Sequence, residues 1–75
     1  MEDVFKMSTN QPNFVSGQKI IVYRLDNVEL GEGIFLRKVF YSDMGTTAYE
    51  CSEHTILVKG AHYVQLAGQR YKIEN

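Results

Sequence analysis

Seventy-five residues make a single domain, and a chain this short buries only about 60% of the surface it exposes when unfolded. Eight Lys and Arg against nine Asp and Glu leave a net charge of −1, without the basic excess of a dedicated nucleic-acid domain. One cysteine excludes an intramolecular disulfide and a cysteine-rich zinc centre, and no apolar run approaches the roughly 20 residues that cross a bilayer.

Residues 1–13 read as an N-terminal arm. Met1–Met7 is too short for an independently stable helix, and Ser8–Asn13 is a polar, proline-containing linker. Val4, Phe5 and Met7 are the arm's docking candidates. Glu2 and Asp3 do not resemble the basic start of a signal peptide. With the lone cysteine this predicts a soluble, cytoplasmic protein without a membrane segment.

Residues 14–75 read as a small β domain. Lys19–Leu25 is a strand with apolar residues on both faces, Ile20 and Val22 on one and Ile21, Tyr23 and Leu25 on the other. Asp26–Gly33 reads as a loop with three carboxylates and two glycines. Ile34–Tyr41 is the longest predicted strand, and its inward pair is either Ile34 and Leu36 or Phe35 and Arg37. Ser42–Gly45 is a turn. Thr46–Ser52 alternates with Thr47, Tyr49 and Cys51 on one face. Val58-Lys59-Gly60-Ala61 and Leu66-Ala67-Gly68-Gln69 each place glycine second in a two-residue loop. Thr55–Glu74 is therefore expected to be a three-stranded antiparallel meander. No repeat or amphipathic helix interrupts the pattern.

Short strands at this spacing predict an all-β fold of five or six antiparallel strands, curled into a partly closed barrel. Phe14-x-x-Gly17-x-x-Ile20-x-Val22, Gly31-x-Gly33-Ile34, Tyr49-x-Cys51, Ile56–Val58 and Tyr63-Val64-Gln65-Leu66 together resemble a Src-homology-3-like small barrel, in the style of the Tudor and KOW-type domains. In such barrels a glycine precedes the first strand and a Gly-x-Gly opens the second. The resemblance spans about residues 14–66 and implies a fold and a binding role. The chain has no tryptophan, which peptide-binding members of this class place on their groove.

Catalytic chemistry finds few candidates. Cys51, His54 and His62 are the one set that suggests a thiol nucleophile or a metal, but the paired zinc motifs are absent and Cys51 reads as a small core residue. Gly31-x-Gly33 lacks the further glycine and lysine of a phosphate loop and reads as a turn. No enzyme, cofactor or metal is expected.

Binding finds more. Five tyrosines and four phenylalanines exceed what so small a core can hide, which predicts self-association or a partner. The expected protein-binding residues are Tyr23, Tyr63 and Tyr71 with an acidic lip of Asp26, Glu29 and Glu32, where charge speeds encounter and fixes orientation. A nucleic-acid surface built on Arg37, Lys38, Lys59, Arg70 and Lys72 is the alternative. In kind, small near-neutral β domains of this sort resemble the accessory inhibitors of bacterial viruses, which bind and modulate larger assemblies.

Overall fold

A computed structural model describes residues 12–74. Of the expected arm, residues 1–11 lie outside the described residues, and Pro12 is buried. Six strands follow: β1 Lys19–Tyr23, β2 Glu29–Tyr41, β3 Thr46–Cys51, β4 Thr55–Lys59, β5 His62–Leu66 and β6 Gln69–Ile73. All pair antiparallel in one sheet of order β4-β3-β2-β1-β5-β6. The fold is all-β, as the strand spacing predicts. The sheet curls but does not close, because among the described residues β4 pairs only with β3 and β6 only with β5.

β2 organises the curl. It starts five residues before the expected strand, so Glu29–Gly33 is strand and only Arg24–Val28 is turn. Its first half pairs with β1 and its second with β3. At the crossing, Phe35 N–H donates to the Gln18 carbonyl at 2.8 Å, and the Ile34 carbonyl accepts Ser52 N–H at 2.9 Å. Gly31 and Gly33 lie on the inner side of that first half. A Cβ at Gly31 would stand 3.1 Å from Ile56 Cγ1 on β4, and one at Gly33 would stand 2.9 Å from Cys51 Cβ on β3. The missing side chains let β3 and β4 fold across the strand they extend from.

Two irregularities set which side chains turn inward. The β2–β3 register slips between Phe35 and Arg37, making Leu36 the extra residue of a bulge. Phe35 is buried while Ile34, Leu36 and Arg37 are exposed, so neither expected inward pair holds as such: the bulge keeps Phe35 inside and turns Arg37 out. After the bulge Arg37 faces outward opposite Glu50, and Lys38 faces inward opposite Tyr49. A second slip, between Val22 and Tyr23, makes Leu30 the extra residue opposite β1.

The expected C-terminal meander is corrected. Ala67-Gly68 does join β5 to β6 as a tight hairpin, with φ of 53° and 76°. Gly60 instead carries the chain from β4 at one edge to β5 beside β1. The physical reason lies in β1, whose backbone has a second edge that β2 leaves unpaired. β5 supplies the second neighbour, pairing Val22 with Val64.

The core lies inside the curl and draws on all six strands. Ile20, Val22, Tyr49, Val64 and Ile73 are wholly buried, joined by Phe35, Cys51, Ile56, Val58 and Leu66. Phe14 closes one end, its ring centre 5.0 Å from that of Phe35 and 5.7 Å from that of Tyr49. Each fully buried aliphatic side chain contributes about 1.5–3 kcal/mol.

Candidate functional site

The outer face of β1, β5 and β6 brings an aromatic and polar group together. Tyr23 at the end of β1 stands opposite Tyr63 on β5 and opposite Glu29 on β2. Tyr63 in turn faces Lys72 on β6, and Gln65 faces Arg70. The side-chain alternation of paired strands thus lines up Tyr23, Tyr63, Gln65, Arg70 and Lys72 on one surface.

Arg70 is its centre. The guanidinium carbon lies 3.8 Å from the Tyr23 ring centre, within cation–π range. Its nitrogens donate to Asn27 Oδ1 at 2.8 Å and to Gln65 Oε1 at 3.3 Å. These partners are neutral. Four other cations of the described chain meet carboxylates: Lys19 meets Glu32 at 3.2 Å, Arg24 meets Asp26, Arg37 meets Glu50 at 2.7 Å and Lys72 meets Glu74 at 3.3 Å. Arg70 is positioned but has no carboxylate partner among the described residues. Asn27, at φ 70°, takes the left-handed position that ends the β1–β2 turn, a conformation asparagine tolerates better than most residues. The strained turn therefore aims its amide at Arg70.

The predicted protein-binding residues divide. Tyr23, Tyr63, Glu29 and Glu32 share the outer face. Asp26 lies in the turn, where the hydrogen bond from Arg24 holds its carboxyl below the usual range. Asp26, Glu29 and Glu32 are therefore not one acidic loop. Tyr71, expected at the surface, is half-buried on the opposite side, packed against the core with its hydroxyl donating to Gln69 Oε1 at 3.1 Å. Alternation along β6 carried that signal, since Ile73 faces the core and Tyr71 shares its face. Asn27 and Gln65 escaped the sequence reading. Gln65 follows from its period-two spacing to Tyr63, whereas Asn27 required the fold of the turn.

The alternative basic set is dispersed. Arg37 is held by Glu50 on the outer face of β2 and β3, and Lys38 points inward over the Phe14 ring at 5.4 Å. Burial lowers the Lys38 pKa. Lys59 ends β4, at the opposite edge of the sheet from Arg70 and Lys72 on β6.

Cys51 and His62 are committed to the interior. The Cys51 thiol donates to the Tyr49 carbonyl at 3.7 Å, and burial raises its pKa. His62 Nδ1 lies 2.9 Å from the Gly60 carbonyl and Nε2 lies 2.6 Å from the Tyr49 hydroxyl. A carbonyl only accepts, so Nδ1 carries the proton and Nε2 accepts from Tyr49. His54 is exposed. No cluster of three or more His, Cys, Asp or Glu among the described residues is placed to hold a metal. No helix among them is long and apolar enough to cross a membrane. No protein-family model, curated protein or solved structure matches the chain.

Proposed function

We propose that this chain is a non-catalytic protein-binding module that modulates a larger assembly through the outer face of β1, β5 and β6. The observation that carries this reading is Arg70 stacked on Tyr23 beside Tyr63, with Asn27 and Gln65 fixing the guanidinium. Tyrosine and arginine dominate interface energetics because they join large apolar surface to directional donors. Groups already held in place lose less entropy when a partner docks. Glu29 flanks this platform and offers a carboxylate to a basic rim on the partner, while Glu32 and Asp26 are held in ion pairs with Lys19 and Arg24. The internal commitments of Cys51 and His62 support binding rather than catalysis.

The Src-homology-3-like resemblance supports the same reading. Gly17, at φ 95°, stands two residues before β1, and Gly31-x-Gly33 lies where β2 must pass beneath β3 and β4. The proposed role is that of a small accessory inhibitor, of the kind bacterial viruses encode, acting in the cytoplasm on a protein or nucleoprotein assembly.

The test is affinity capture from the native cell with the intact chain and with Tyr23→Ala and Arg70→Ala, each checked for native circular dichroism. A specific partner retained by the intact chain should lose about 2 kcal/mol or more of affinity with either variant. Equal capture by both variants would remove this face from the function. A parallel titration with single- and double-stranded oligonucleotides at low salt examines the alternative, because phosphate-driven binding is strongest there.

A further inference from the structure

Among the described residues β4 and β6 form the two free edges of the sheet, and they are guarded unequally. β6 carries Arg70 and Lys72 in its five residues, and outward charge of this kind discourages strand pairing. β4 reads Thr55-Ile56-Leu57-Val58-Lys59, with Ile56 and Val58 buried in the core and Leu57 62% exposed. It has no proline, bulge or inward charge, and its one cation stands at the end. Such an edge is a template for another strand.

The hydrogen bonds of the β3–β4 hairpin show which residues of β4 offer that template. Cys51 N–H donates to the His54 carbonyl at 2.8 Å, and Gly60 N–H donates to the Gly45 carbonyl at 2.9 Å. Both pairs belong to the same unbroken register. Bonded pairs alternate along an antiparallel ladder, so His54, Ile56, Val58 and Gly60 bond toward β3. Thr55, Leu57 and Lys59 direct their N–H and C=O groups to the free side.

We propose that β4 pairs antiparallel with β4 of a second copy, about a two-fold axis through Leu57. In that register Leu57 faces Leu57 of the other copy and Thr55 faces its Lys59, so all three edge-directed residues meet edge-directed residues. Six main-chain hydrogen bonds result, with Ile56 alongside Val58 of the partner. No like charges face each other, and each Lys59 lies diagonally near the other copy's Glu53. The self-complementarity of this five-residue strand selects a second copy over an unrelated peptide, and a two-fold contact closes without propagating into a fibre.

Sedimentation equilibrium of the full chain from low to high micromolar concentration tests the proposal. The expected result is a monomer–dimer equilibrium. Leu57→Lys, which sets two cations against each other at the axis, should weaken the dimer at least about tenfold while leaving the circular dichroism of the monomer unchanged. Thr55→Lys faces Glu50 within its own hairpin but sets a cation opposite Lys59 twice per dimer, and should weaken the dimer about fivefold. A monomer at every concentration would overturn the proposal. So would a dimer indifferent to both substitutions, since that dimer would use another surface.

Discussion

The Tyr49 hydroxyl and the His62 imidazole satisfy each other at the centre of the core, and their bond spans β3 and β5, strands from opposite sides of the curl. Burial, reinforced by the nearby Lys38 charge, lowers the His62 pKa, while the bond to Gly60 opposes the shift. Burial likewise raises the Tyr49 pKa, keeping its hydroxyl a donor. Tyr49→Phe removes that donor and leaves Nε2 buried without a partner, so it should cost about 1–3 kcal/mol in urea denaturation while retaining the fold. The pH dependence follows in sign. The unfolded chain protonates His62 from about pH 6.5 downward, whereas the folded chain resists until lower pH. More protons are then bound by the unfolded state, so stability is complete above that pH and falls as pH drops through the window. Melting temperatures between pH 7.5 and 5 should show this decline, with a shallower slope in His62→Gln.

The strands owe their geometry to a few positions where side-chain size or backbone sign is critical. Gly33 has no space for a Cβ, because Cys51 Cβ and Sγ stand 2.9 and 3.0 Å from where it would lie. Gly33→Ala should therefore destabilise the chain by about 1–3 kcal/mol in urea denaturation. Gly31→Ala should cost less, because its obstruction is the rotatable side chain of Ile56. The β5–β6 turn offers the opposite change. Ala67 and Gly68 both have positive φ, the pattern of a type I′ turn that prefers Asn-Gly. Alanine is strained in that conformation, so Ala67→Asn should raise stability by about 1 kcal/mol, visible as a higher melting temperature.

Across the whole molecule, one core draws residues from all six strands, and Tyr49–His62 and Phe14–Phe35 tie its two sides together. Unfolding should thus be a single transition, with far-ultraviolet circular dichroism and tyrosine fluorescence giving coincident midpoints. Separate midpoints would mean that the two sides of the curl melt independently. Exposed apolar residues occur on outer faces and turns that have no covering layer, as with Leu57, Tyr41 and Met44.

The strands, the Ala67-Gly68 hairpin and the apolar identity of Ile20, Val22, Tyr49 and Cys51 were legible from residue order, because alternation and turn chemistry act over a few neighbours. The outer placement of Tyr23 and Tyr63 followed from the same period of two. Strand order was not legible. Whether β5 joins β4 or β1 depends on which pairing best shields β1, a contest among segments about forty residues apart. The bulge at Leu36 escaped for a related reason: an extra residue gains or loses energy only against the strand beside it, and it decided that Arg37 faces water and Lys38 the interior. The Arg70–Tyr23–Asn27 group required all of these outcomes at once. Local chemistry therefore settled that this chain is a set of short antiparallel strands with surplus tyrosine, while long-range pairing settled which tyrosines share a surface with Arg70 and which strand was left with an open edge.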